Sequence, residues 1–150
     1  MKQSPGDQNL EQRLRASKFS GEGFLGTDER PLDEIIADDQ RLLDMHDIDK
    51  DALLQALRDA YRRARESLGA AIEIKPAVTA RYYESRGKIP SPFRGDGVFE
   101  KGEAEITDAS TGQSLHVTPL GLALIEKHGF FQGRGSRYRI EPDLAASMLL

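Results

Sequence analysis

At Gly69 the apolar spacing of the chain changes period, and that change sets what it can become. Before it, Leu53, Leu57, Ala60, Tyr61, Ala64 and Leu68 recur at helical intervals; after it, Val78, Ala80 and Tyr82 alternate with Thr79, Arg81 and Tyr83. A 3.6-residue period buries one helical stripe, whereas a period of two buries one face of a strand. Helices therefore precede strands, which predicts an α+β fold.

The first helix is predicted over 31–46. Pro31 suits the first helical position, Asp33 and Glu34 favour the positive end of the dipole, and Leu32, Ile35, Ile36, Leu42 and Leu43 share a face. A turn at 47–49 leads to a second helix over 50–68, with Asp49 as N-cap, Ile48 stapled to Leu53 and Gly69 as its stop. The pair is expected to form an N-terminal antiparallel helical hairpin packed on a small, mainly antiparallel sheet. Strands are expected at 72–74 and 78–83, then a proline- and glycine-rich loop at 88–97. Next comes a hairpin of 103–109 with 114–117, in which Gly112 takes a positive φ. Thr118, Pro119 and Gly129 mark the cap, first turn and stop of another helix, set between the late strands, with a last strand near 137–140 and a short helix opened by Glu141 and Pro142. Residues 1–26 read as a mobile arm, with Leu10 and Leu14 on one face of a short helix around 9–17 and Phe19 and Phe24 pinning its end. Residues 27–150 read as a single domain.

Charge and composition narrow the function. A net charge of −4 argues against generic polyanion binding over the whole surface. The absence of cysteine excludes a disulfide framework, thiol catalysis and cysteine-ligated zinc; it suits a reducing, cytoplasmic setting. No apolar run approaches the roughly 18 residues of a membrane span, so no membrane partner is expected.

Against that acidic background, residues 127–139 carry Lys127, Arg134, Arg137 and Arg139 with no acid among them. Gly133 and Gly135 permit the tight turns of an anion-binding nest, and the planar guanidinium fork matches phosphate. Phe130, Phe131 and Tyr138 add aromatic faces on which a base can stack. This run is the candidate ligand site: Arg134, Arg137 and Arg139 as charge partners, Gly133 and Gly135 as the turn, Phe131 or Tyr138 as the stacking surface. The ligand it predicts is a phosphate-bearing molecule or single-stranded nucleic acid. The competing reading makes the aromatics core and pairs the arginines with the acidic stretch 28–51, whose ten acids and three bases give −7. Arg58, Arg62 and Arg65 form a basic stripe on the second helix, where Arg62 and Glu66 are an i,i+4 pair.

A second anomaly is Asp39, which falls at about 340° on the helical wheel from Leu32, inside the apolar arc. A carboxylate there requires a partner, such as Arg81 or Arg139, or else it lines a polar cleft as a catalytic base. The catalytic version would use His128 or His46. His116 and His128 bracket the third helix twelve residues apart, which is no metal-ligand spacing, so no metal and no cofactor are expected. Asp47, Asp49 and Asp51 open like a calcium loop, but Ala52 and Arg58 stand where glycine and glutamate are needed. Arg94-Gly95-Asp96 spells an adhesion tripeptide without an extracellular context. Three functions stay open: a non-catalytic module binding an anion at 129–139, a protein-interaction or self-associating (homo-oligomer) subunit, and a small enzyme using Asp39 with a histidine.

Overall fold

A computed structural model describes residues 10, 12–14 and 23–150. The elements run α1 (Leu32–Met45), α2 (Lys50–Glu66), β1 (Ile72–Lys75), β2 (Val78–Tyr83), β3 (Lys88–Pro90), β4 (Val98–Glu100), β5 (Glu103–Asp108), β6 (Ser114–Val117), α3 (Pro119–His128) and α4 (Pro142–Leu149). The fold is α+β. β1, β2, β5 and β6 form a four-stranded antiparallel sheet in the order β1-β2-β5-β6, and β3 and β4 form a separate two-stranded ribbon.

The predicted caps are in place. Asp49 accepts from the Asp51 amide, Thr118 accepts from the Gly121 amide, Pro119 opens α3, and Gly129 ends it in the left-handed region at φ 63°. Gly112 turns the β5–β6 hairpin at φ 74°. Two strand assignments change. The stretch read as a loop from 88 contains β3, where Ile89 pairs with Phe99 and both pack on apolar neighbours. Pro90 ends that pairing opposite Val98, a position open to proline because the ribbon has free edges. The strand expected near 137–140 does not form. The chain there makes consecutive turns, the Arg139 amide donating to the Ser136 carbonyl and the Ile140 amide to the Phe131 carbonyl, each at 3.2 Å.

Two apolar clusters hold the molecule together. In the main one, Leu53, Leu57, Ala60 and Ala64 of α2 lie on the inner sheet face of Val78, Ala80, Ala104, Ile106, Leu115 and Val117. In the second, Leu14, Leu25, Ile35, Leu120, Leu124 and Phe130 are covered by Ile89, Phe93 and Phe99. Each fully buried large side chain contributes about 1.5–3 kcal/mol. α3 is apolar on two sides because it serves both clusters, Leu122 and Ile125 facing one and Leu120 and Leu124 the other. α1 does the same along a single stripe: Ile35 enters the second cluster, Leu43 the main one, and Asp39 lies buried between them. Of the two hairpin helices, α2 therefore carries the sheet while α1 packs on α4.

The described part of the stretch read as an arm is seated on the domain. Leu14 and Leu25 are fully buried, and the Leu14 carbonyl accepts from the Phe24 and Leu25 amides. The boundary expected at Gly26 therefore falls within packed chain, because leucines from both of its sides complete the second cluster. The remainder of the helix expected around 9–17, and Phe19, lie outside the described residues. Among the described residues, no helix is long and apolar enough to cross a membrane.

Candidate functional site

The loop after α3 runs along the seam between the two clusters. Phe130 belongs to the second cluster and Phe131, its neighbour, to the main one. Phe131 is 2% exposed and so offers no stacking face, which corrects its assignment as a ligand platform. The next residue, Gln132, takes the left-handed conformation at φ 73° although it carries a side chain.

The glycines that follow are spent on the chain itself. The Gly133 amide donates to the Phe24 carbonyl at 2.8 Å, and a Cβ at Gly133 would run into the Leu25 backbone. Gly135, at φ 86°, lies against Thr27, and Gly26, at φ 58°, lies against the backbone of 134–136. The Arg134 amide donates to Asp28 Oδ2 at 3.1 Å, and the Thr27 amide to the Arg134 carbonyl at 2.9 Å. Gly133 and Gly135 thus let two backbones touch, rather than leaving open the anion nest expected from the sequence. Asp28 also receives Arg30, at 2.6 and 2.9 Å, and Arg30 reaches Asp38 at 2.7 Å. The Arg30 guanidinium holds the Asp28 carboxyl well below the usual carboxylate range; burial opposes this, and the Arg134 amide reinforces it.

The three arginines separate. Arg139 turns inward to Asp39, with Nη1 and Nη2 both at 2.9 Å from its carboxylate, and its side chain is 7% exposed. It also donates to the Gln132 carbonyl at 2.6 Å and to Glu141 at 2.8 and 3.1 Å. Burial works to lower its pKa, but the hydrogen bonds it donates to Asp39 and Glu141 outweigh that and raise it. Arg139 is therefore the partner that a buried Asp39 required, and it is not open to a ligand. Arg134 extends into solvent, its side chain unpaired among the described residues. Arg137 is 61% exposed; one Nη donates to Glu103 Oε1 at 3.2 Å, and its guanidinium lies 5.5 Å from the Tyr138 ring centroid. Glu103 is braced from its other oxygen by His116 Nδ1 at 2.9 Å, while Tyr138 meets His116 edge-on.

Beside Arg137 opens a hollow of about 680 Å³, lined by Phe24, Lys101, Thr118, Gln132, Arg137 and Tyr138 among others. Its volume lies in the roughly 300–1,000 Å³ range that holds small ligands. Lys101 and Arg137 are balanced on the wall by Glu100 and Glu103. A second hollow of about 690 Å³ lies at the end of α2 between Tyr61 and Tyr82, but its cations are already taken. Arg62 pairs with Asp59 and Glu66, and Arg65 with Glu100 at 3.1 Å.

The histidines do not meet Asp39. His128 Nε2 is 2.6 Å from Asp96 Oδ2, and its ring stacks on Phe93 at 3.7 Å. That contact ties the aspartate of the Arg-Gly-Asp turn to α3. His46 is exposed at the end of α1. No group of histidine, aspartate and glutamate among the described residues is placed to hold a metal ion.

Of the residues singled out in the sequence, Arg137 and Tyr138 come together at the hollow; Phe131 is buried, the Arg139 side chain is covered, and Arg134 lies off the wall. Sequence reasoning passed over Gln132, Thr118, Lys101 and Phe24. Thr118 was read only as a cap, and nothing local marks a glutamine that will adopt a positive φ. The chain matches no family model, no curated protein and no solved structure.

Proposed function

We propose that the protein is a non-catalytic binding module for a small phosphate-bearing molecule, taken into the hollow beside the loop 132–138. The observation that carries this reading is the open guanidinium edge of Arg137 on the wall of the hollow. Glu103 occupies one of its five N–H donors, which leaves donors for a phosphate. Lys101 supplies a second cation, and Phe24 and Tyr138 supply ring faces. A single hollow of this size favours a small molecule over a strand, which needs a groove that tracks several phosphates.

The test is titration of isotopically labelled protein with inorganic phosphate, with adenosine monophosphate (AMP) and with inosine monophosphate (IMP). Amide shifts are expected at 24, 101, 118 and 132–138. Arg137→Ala should weaken nucleotide binding about 10- to 100-fold, the loss of a charge-assisted hydrogen bond. Unmoved amides at millimolar nucleotide, or affinity indifferent to Arg137→Ala, would refute the reading. A short oligo(dT) that binds more tightly than either mononucleotide, with a steep salt dependence, would replace it by single-strand binding.

A further inference from the structure

We infer that Gln132 selects the ligand of this hollow, donating its carboxamide N–H to an uncharged carbonyl oxygen on the phosphate-bearing molecule, and that Asp39 and Arg139 are positioning residues behind it. This rests on the binding reading above and adds to it the ligand's second recognition feature.

Three observations meet at this residue. Gln132 is only 3% exposed, yet it lines the hollow. Its Oε1 accepts from Ser136 Oγ at 2.8 Å, which fixes the carboxamide's orientation and leaves Nε2 as its free group. That nitrogen has no hydrogen-bond partner among the described residues. The residue is nearly covered, but Nε2 keeps an open face on the hollow, where a ligand's acceptor can meet it.

The backbone supports the same assignment. A glutamine at φ 73° is strained where glycine would not be, and non-glycine strain of this kind persists only when its surroundings impose it. Here they do so from both sides. Arg139 Nη1 clamps the Gln132 carbonyl at 2.6 Å, and the next amide, of Gly133, is fixed on Phe24 at 2.8 Å. Arg139 is itself locked by the two bonds to Asp39. The buried ion pair thus orients a peptide whose side chain faces the site, without touching the ligand. The Thr118 hydroxyl on the same wall has its oxygen accepting from the Gly121 amide, so it too offers a donor. Lys101 and Arg137 offer charged N–H donors for a phosphate on a wall whose net charge Glu100 and Glu103 bring to zero, and Gln132 and Thr118 offer neutral donors for a carbonyl.

IMP and AMP probe that feature: ring position 6 carries a carbonyl oxygen in the first and an amino group in the second, and the adjacent N1 is a donor in the first and an acceptor in the second. Calorimetric titration of the full chain should show IMP binding about tenfold more tightly than AMP. Gln132→Gly removes the carboxamide and relieves the backbone strain, so it should fold and bring the ratio to about one. Ser136→Ala should lower the ratio as well, because the released carboxamide can turn its oxygen to the ligand; loss of stability alone would not equalise the two nucleotides. Equal wild-type affinities, both abolished by Arg137→Ala, would overturn the role of Gln132 and leave the binding reading standing. A tenfold ratio that survives Gln132→Gly would overturn it too. Failure of both nucleotides to bind the wild-type chain would overturn the two together.

Discussion

Removing the Arg139 side chain is the most direct probe of what holds the loop in place. In Arg139→Ala, Asp39 loses both of its hydrogen bonds, and its side chain is only 4% exposed, so water does not replace them easily. The Gln132 carbonyl loses its 2.6 Å donor in the same step. Breaking a buried pair by deleting one partner costs about 3–5 kcal/mol, chiefly because an uncompensated charge stays behind. A domain of this size has a total stability of about 5–15 kcal/mol, so the variant should lose roughly a fifth or more of it. In thermal unfolding this is a drop of roughly 10 °C. Urea titration followed by circular dichroism gives the free energy directly, with Arg134→Ala as control. Arg134 carries the same charge a few residues away but stands in solvent, and its removal should change stability by no more than about 0.5 kcal/mol. Equal losses in the two variants would show that the Asp39–Arg139 pair does not hold the seam.

Other perturbations test separate parts of the same frame. Asp28 is held below its ordinary pKa when folded, so it adds stability above the unfolded value of about 4 that is lost as pH falls through and below it. Asp28→Asn should therefore flatten the acid limb of a stability-versus-pH curve below about pH 4 and leave its shape near neutrality unchanged. Thr118→Ala removes the N-cap of α3 and should cost about 1 kcal/mol in urea unfolding. Gly26→Ala places a Cβ against the backbone of Gly135 and Ser136 at φ 58°; it should cost about 2 kcal/mol and shift the amide resonances of 134–136, whereas an unchanged spectrum would contradict the close approach.

The elements that were legible in the sequence are those governed by local rules. Asp49, Thr118, Pro119, Gly112 and Gly129 act within three or four residues of themselves, and each does what its chemistry dictates. Asp39 was legible as an anomaly, since a carboxylate inside an apolar arc demands a partner, and Arg139 was one of two arginines named for it. Less could be read where the answer depends on a distant segment. Gly133 and Gly135 look like an anion nest until Phe24, Leu25 and Thr27 are laid against them, more than a hundred residues away in the chain. Phe130 and Phe131 read alike, yet they enter different clusters because the chain crosses the seam between them. The hollow could not be read at all: its wall joins residues from Phe24 to Tyr138, and Gln132 acquires its backbone angle from tertiary hydrogen bonds rather than from its own preference.

That dependence raises the question of why the seam is held by charge, since well-packed apolar groups of similar volume often match or exceed the stability of a buried ion pair. Stability alone does not call for Asp39 and Arg139. A guanidinium does what a hydrocarbon cannot: while bound to the carboxylate, it also donates to the Gln132 carbonyl and fixes the direction of that peptide. Replacing the pair in one chain, Asp39→Leu with Arg139→Met, should separate the two roles. The double variant leaves no buried unpaired charge, since Glu141, which also loses Arg139, is half-exposed to water, so its stability should return to within about 1–2 kcal/mol of wild type, well above Arg139→Ala. Gln132 would then lose the clamp that imposes its positive φ, and the backbone should relax, shifting the 132 and 133 amide resonances. The preference for IMP over AMP should fall with it, although Arg137 and Lys101 remain to bind phosphate. A stable double variant that keeps both the resonances and the preference would confine Asp39 and Arg139 to holding the two clusters together.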